Sequence, residues 1–262
     1  MVVGKSLTAM ARTLLAIESA TDWLSVALLE GDRVIELRRS DSIRQHAAAL
    51  LPMIDATLKA AGSDLDGIDA LAVSTGPGSF TSVRIGLATV KGLAFRREIE
   101  TVGVSTLEAM AMAGLDAEGA RNEVLALLDA RRGEWYAGSW TWDAALGSLP
   151  KPALAEGLYS PERLAAALSG PLRVLAPEPG GWLEALEAGG LELTSQVLGE
   201  AARPSAEWVG RLGQLRLAAG EGAKARELSA RYLRRAEAEA KRLGGPVEEG
   251  EVADLGTPGE GG

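Results

Sequence analysis

Two stretches of this chain hold residue types whose order could do chemistry. The first is Thr75-Gly-Pro-Gly-Ser-Phe-Thr-Ser-Val-Arg-Ile-Gly86. It follows the apolar run Ile68 to Val73 and opens a segment in which Val83, Leu87 and Val90 recur at helical spacing. Backbone N–H groups at a helix N-terminus attract anions such as phosphate, and glycines at 76 and 78 would let a ligand or another backbone segment come close. No Gly-Lys-Ser/Thr ends the stretch and Lys91 lies too far along the helix to replace it, so a Walker loop is excluded. A tight structural turn and a ligand-facing or partner-facing loop both fit what remains. The second stretch, Glu18-Ser-Ala-Thr21, sits between two apolar runs, where an acid-glycine-threonine turn would wrap a nucleotide phosphate. Here the glycine is replaced by Ala20, whose Cβ intrudes at the point of closest approach, and this disfavours autonomous nucleotide binding. Glu18 reads either as a strand-end carboxylate or as a magnesium anchor.

What the composition lacks narrows the chemistry further. There is no cysteine and a single histidine, His46, which excludes thiol nucleophiles, disulfides, thiolate metal sites and any histidine pair. His46 reads as a capping or interface hydrogen-bonding group rather than a catalyst. Lys and Arg number 27 against 36 Asp and Glu, and the resulting charge of −9 opposes an unaided grip on nucleic acid. The arginine pairs at 38–39, 96–97 and 131–132, and the arginines between 231 and 242, read as solvated faces. No apolar run reaches the roughly 18 residues needed to cross a membrane. Residues 1–11 lack the charged start, long apolar stretch and cleavage site of a secretory signal, so a cytoplasmic location is expected. Met1 and Met10 both remain open as the natural start.

Elements must position these residues, and the pattern predicts them. Thr13 to Ile17, Trp23 to Leu29 and Val34 to Leu37 alternate with turn residues, including Gly31-Asp32, as in a three-stranded meander. Leu50, Leu51, Ile54 and Leu58 mark an amphipathic helix over Ile43 to Ala61, ended by Gly62 and kinked or started late at Pro52. The stripe Leu50, Met53, Ile54, Thr57 and Leu58 is ordinarily core, while the small residues Ala47 to Ala49 give the helix a second side able to pack. A helix over Thr81 to Phe95, capped by Ser79 or Thr81, a strand over Glu100 to Val104 and a short helix over Leu107 to Ala113 follow. After a break near Gly114 to Gly119, Val124 to Leu128 ends in Asp129, turns through Gly133 and continues as an aromatic strand to Trp140. Strand, acid, turn, strand therefore occurs twice, which suggests a duplicated architecture. Later helices are expected at Pro161 to Leu168, Ser205 to Ala219 and Tyr232 to Leu243. With 262 residues the chain accommodates two lobes. They are expected at residues 12–115 and 116–243, between a flexible 1–11 and a disordered tail at 244–262 that carries seven glycines and five acids but no base.

At this point a resemblance appears. Leu14-Leu-Ala-Ile-Glu-Ser-Ala-Thr21, His46 with Leu51-Pro-Met-Ile54, the glycine stretch 75–86, Gly103-Val-Ser-Thr-Leu107, Asp129-Ala-Arg-Arg-Gly-Glu-Trp-Tyr136 and Tyr232-Leu-Arg-Arg235 together resemble the bacterial TsaB (YeaZ) family, in the right order over residues 12–240. The resemblance implies an α/β actin-like/sugar-kinase (ASKHA) fold of two lobes, with mixed sheets flanked by helices. It also implies a non-catalytic role in threonylcarbamoylation of the tRNA adenosine next to the anticodon. In that family the catalytic paralogue, TsaD, needs a His-x-x-x-His pair that this sequence cannot supply. The implied partners are a TsaD-like subunit, a TsaE-like ATPase and tRNA through the complex, and a second copy of the chain when the partner is absent. The two helices at 43–61 and 81–95 are expected to dock. Leu50, Met53, Ile54 and Leu87 would give apolar contacts, and Ser79, Thr81 and Arg84 polar ones. No cofactor of its own is expected. ATP or ADP with magnesium is placed at the partner interface, near Glu18, Thr21, Gly76 and Gly78. Ser82 stands where the family's loop usually has glycine. The competing reading is a small-molecule kinase or ATPase of the same fold, and a glycoprotease-like peptidase finds no support in the residues.

Overall fold

The computed structural model describes residues 12–40, 45–95, 97, 99–116, 123–142 and 148–234. The expected flexible start at 1–11, the acidic tail at 244–262 and most of the expected helix at 232–243 lie outside them. Tyr232 to Arg234 form no helix.

The N-terminal meander is β1 (Thr13–Glu18), β2 (Leu24–Glu30) and β3 (Arg33–Ser40), followed by α1 (His46–Ala60), β4 (Ala70–Ser74), α2 (Phe80–Ala94) and β5 (Glu100–Val104). These strands form one sheet in the order β3-β2-β1-β4-β5. The meander pairs antiparallel, whereas β4 and β5 join parallel through helical crossovers. After α3 (Thr106–Asp116) the same plan is repeated. β6 (Glu123–Asp129), β7 (Trp135–Thr141), β8 (Lys151–Tyr159), β9 (Leu172–Ala176) and β10 (Leu193–Leu198) pair in the order β10-β9-β6-β7-β8. Again there is an antiparallel meander with two parallel additions. The duplicated mixed sheet flanked by helices is the actin-like/sugar-kinase architecture.

Period-two alternation assigns the faces. Leu15 and Ile17 of β1 meet Leu50, Ile54 and Leu58 of α1 and Val83, Leu87 and Val90 of α2. Leu14 and Ala16, on the opposite face, meet Val209 and Leu212 of α6 (Ala206–Ala218). In the second sheet Leu125 and Leu127 pack with Leu164 of α4 (Pro161–Ala167) and Trp182 of α5 (Trp182–Ala188), while Val124 and Ala126 pack with Leu107 and Met110 of α3. α3 and α6 meet between the sheets.

The lobes expected at 12–115 and 116–243 follow the sheets but not the helices, because α6 returns to the first sheet. Gly210 and Gly213 permit this, since a Cβ at either would press into Leu29 or Ala72. Three strands (β8, β9, β10) and α5 went unread in the sequence. Pro152 suits β8 because that strand is the sheet edge, where a missing N–H breaks no ladder. The late start expected at Pro52 does not occur, as α1 begins six residues earlier. Pro52 and Ala48, whose carbonyl loses its N–H donor, both face solvent.

Candidate functional site: a cleft with one closed and one open turn

The glycine loop, the turn after β1 and the turn after β6 converge between the lobes. They line a cleft of about 200 Å³ that includes Thr21, Trp23, Gly78, Ser79, Asp129 and Arg131. Within the first lobe the chain satisfies its own polar groups. Ser79 caps α2 by accepting the Ser82 N–H at 3.4 Å, and its own N–H donates to the Ala20 carbonyl oxygen at 2.6 Å. A Cβ at Gly78 would drive into that same carbonyl, so the glycine serves a backbone-on-backbone contact. Gly76 adopts φ +104°, its carbonyl accepts the Thr106 N–H at 2.9 Å, and a Cβ there would meet the Arg231 carbonyl at 2.7 Å. Ser82 supplies its carbonyl to the Ser19 hydroxyl at 3.2 Å. The helix end that would receive phosphate is therefore filled by the β1–β2 turn.

Glu18 follows the same logic. It is fully buried, and its Oε1 accepts the Ala20 N–H at 2.6 Å. Burial pushes its carboxyl up to about 7, against the opposing pull of the Ala20 amide and the Ser74 hydroxyl. Its Oε2 has no hydrogen-bond partner among the described residues. A fully buried carboxyl that already accepts the Ala20 N–H is turned away from the cleft, and the Ala20 carbonyl does not fit beside a phosphate. The turn after β1 is thus occupied by contacts within the chain. Among the described residues no group of three His, Cys, Asp or Glu is placed to hold a metal ion.

The C-terminal segment ties both lobes to this region. Ala223 pairs with Thr101, and Leu228 enters the core below α1 and α2. The Arg231 N–H donates to the Thr75 carbonyl at 2.7 Å, and its guanidinium reaches Glu156 of β8 at 3.1 Å. Burial raises the carboxyls of both Glu156 and Glu108, while Arg231 and Arg216 oppose the shift. Tyr232 stacks on Phe80 with 4.9 Å between ring centroids. Arg84 lies 3.6 Å above the Phe80 ring and donates from Nε to the Tyr232 hydroxyl at 2.9 Å. Arg234 donates to the Ala130 carbonyl at 2.6 Å and pairs with Glu134.

The expected docking residues divide. Ser79, Thr81 and Arg84 are exposed, so the polar set is available at the surface. Leu50, Ile54 and Leu87 are not, as each is a core side chain under the first sheet. Met53 is half-buried against the same core. The apolar part of the expectation is corrected accordingly. The stripe that marks α1 as amphipathic is its inward face, and the large apolar side chain it exposes is Leu51. Phe95, just past α2, is exposed as well. Thr21 and Gly78 line the cleft, whereas Gly76 and Glu18 lie beneath it. His46 is buried at the first residue of α1, beyond its N-cap Gln45. Sequence reasoning missed the Phe80–Arg84–Tyr232 cluster, although Tyr232 stood in a segment already singled out. Nothing in local periodicity links residues 148 positions apart.

Comparison with known proteins places this geometry. Residues 40–176 match the family described as TsaD, tRNA N6-adenosine threonylcarbamoyltransferase. The tRNA threonylcarbamoyladenosine biosynthesis protein TsaB of Haemophilus influenzae is 43% identical over 127 residues, or 47% of this chain and 52% of that protein. TsaB of Escherichia coli is 44% identical over 123 residues, with the same shares. The chain thus spans about half the length of the curated relatives it matches. The solved structure of YeaZ from Pseudomonas aeruginosa aligns with a TM-score of 0.71 at 32% identity, covering 85% of this chain and all of that one. With the duplicated sheet, the glycine loop and the late tyrosine segment all accounted for, the chain belongs to the TsaB (YeaZ) family.

Proposed function

We propose that this chain is a non-catalytic subunit of the machinery that makes threonylcarbamoyladenosine in tRNA, and that it binds and activates a TsaD-like catalytic paralogue. The observation that carries the reading is the self-occupied turn: the α2 end where a phosphate would sit is satisfied by the Ala20 carbonyl and Ser79. Nucleotide with magnesium, where the machinery uses it, belongs with the partner or at the shared interface, and a TsaE-like ATPase and tRNA join through the complex. The docking surface is the outward side of α1 and α2, with Leu51 as its apolar contact and Thr81 and Arg84 as polar ones. The same surface serves self-association when the partner is absent. No helix among the described residues is long and apolar enough to cross a membrane, which accords with action on tRNA in the cytoplasm.

Co-purification with a TsaD-like subunit tests this directly. The unmodified chain should retain the partner, while Leu51→Glu, a surface change, and Arg84→Glu, which also removes the bond to the Tyr232 hydroxyl, should lose it and remain folded by circular dichroism. Formation of threonylcarbamoyladenosine should require both proteins. Turnover by the chain alone, or full binding by both variants, would reject the proposal.

A further inference from the structure

The turn after β6 holds a run of backbone that its own residues do not favour. Arg131, Arg132 and Gly133 are consecutive left-handed residues, at φ 67°, 58° and 76°, and the two arginines carry a Cβ. Such a run persists where neighbouring groups fix it. The Ala130 N–H donates to the Glu134 carbonyl at 3.0 Å and the Glu134 N–H to the Arg131 carbonyl at 3.2 Å, so residues 130 and 134 form the base of the turn. Arg234, from the C-terminal segment, grips both sides of that base. Its Nη1 donates to the Ala130 carbonyl at 2.6 Å, and its Nη2 pairs with the Glu134 carboxylate. Ala130 and Arg131 line the interlobe cleft, so this grip bears directly on the cleft wall.

Two residues earlier the same segment is fastened to the first lobe. Tyr232 stacks on Phe80 and its hydroxyl accepts from Arg84 Nε, both on α2, while the Arg231 N–H donates to the Thr75 carbonyl beyond β4. Two residues of chain span at most about 7 Å, which leaves little slack between the fastening on α2 and the grip on the turn. Phe80 and Tyr232 are half-buried and Arg84 is exposed, so a molecule lying on the outward side of α2 touches this fastening. We propose that residues 231–234 couple the outward face of α2 to the cleft. A change at the Phe80–Arg84–Tyr232 cluster is passed through Arg234 to the turn at 130–134, and a change at the turn is passed back to the cluster. Each step is a bonded contact: ring stack, hydrogen bond, two peptide units, guanidinium, turn. The linkage belongs to this chain and stands whether or not a TsaD-like subunit is what docks on α2.

Amide hydrogen exchange of the full chain, read residue by residue by NMR, tests the linkage. Arg234→Ala should speed exchange at the Ala130 and Glu134 amides by about tenfold or more, while core amides such as those of Leu15 and Leu125 keep the parent rates. That pattern separates release of the turn from a general loss of stability. Tyr232→Ala, whose ring contacts are on α2, should speed the same two amides by about threefold or more. Should that variant fail to fold, Tyr232→Phe, which loses only the hydroxyl, carries the test with a smaller increase. In the reverse direction Glu134→Gln, in the second lobe, should shift the Arg84 Nε–H resonance from its position in the parent. The proposal is overturned if the Tyr232 variant leaves both turn amides at the parent rates even though Arg234→Ala speeds them, because the turn is then held without being linked. It is also overturned if the core amides accelerate in step, or if Glu134→Gln leaves the Arg84 signal unmoved. Equal acceleration by Arg226→Ala, on an exposed stretch of the same segment, would overturn it as well.

Discussion

The turns after β1 and β6 occupy equivalent positions in the repeated sheet order and handle their polar groups in opposite ways. After β1, Glu18 is buried and bonds the Ala20 amide, and the Ala20 carbonyl is consumed by Ser79. After β6, Asp129 stays partly exposed and accepts the Arg131 N–H at 2.7 Å, while the arginine side chain extends outward. Arg131 and Arg132 both hold left-handed conformations, at φ 67° and 58°, a geometry that costs about 1–2 kcal/mol for a residue with a Cβ. The first turn is thus packed as a core element and the second is held open beside the cleft. The same topology thus carries a turn bonded to the glycine loop in one half and a turn with an exposed arginine in the other.

The sharpest way to break this contrast is to add one methyl group to each side. At Gly78 a Cβ collides with the backbone of Ala20, which cannot move without disturbing the Ser79 bond, whereas at Gly133, with φ +76°, nothing lies within 4 Å. Gly78→Ala should cost more than about 3 kcal/mol, as overpacking against backbone does. Gly133→Ala should cost only the strain of a left-handed alanine, about 1 kcal/mol. Urea denaturation of both variants measures the difference, and equal losses would mean that the first turn is not closed as described.

A second test uses protons. The Glu18 carboxyl titrates near 7 when folded and near 4.5 when free, so between those values the unfolded chain is ionised while the folded chain keeps its proton. Stability is therefore fully present below about 4.5, falls as pH rises toward about 7 and levels off above it. The interval corresponds to roughly 3 kcal/mol. Glu18→Gln should remove the Glu18 share of this slope, leave the shallower one from the buried Glu108 and Glu156, and leave the protein more stable than the parent at pH 8 by up to that amount. Thermal unfolding followed from pH 4.5 to 8 reads both effects. A parent curve that rises across this window would contradict the buried, protonated state.

How far the sequence foretold all this depends on the range of the interaction. The meander around Gly31-Asp32, the helix through Leu50, Ile54 and Leu58, the Ser79 cap and the repeated strand–acid–turn–strand pattern are local, and each is found where the residue order put it. The inward direction of Leu50, Ile54 and Leu87 was also implicit, because a stripe at helical spacing is what a core face looks like; assigning it to a partner asked one face to do two jobs. What could not be read was long-range. Gly210 and Gly213 carry α6 back onto the first sheet through contacts with Leu29 and Ala72, about 180 and about 140 positions away in the chain. Tyr232 reaches Phe80 in the same way, and the closure of the β1–β2 turn depends on a loop about 60 residues later.

The smallest expected effect compares the two acids directly. Asp129→Ala removes the acceptor of the Arg131 N–H and the carboxylate beside its guanidinium, at 3.5 Å. Because Arg131 is mostly exposed, the ion pair adds little, and the lost hydrogen bond from its N–H to the Asp129 carboxylate should dominate at about 1 kcal/mol. The loss should depend only weakly on salt, since a short hydrogen bond from the Arg131 N–H to the Asp129 carboxylate is screened less than an exposed ion pair is. Glu18→Gln should thus stabilise the chain at pH 8 while Asp129→Ala destabilises it, although both neutralise the acid at the end of the first strand of a repeated sheet. Opposite signs in the same denaturation assay are what one closed and one open turn require. If both changes shift stability in the same direction, the two turns are not built on different principles, and the case for a first lobe closed to phosphate weakens with them.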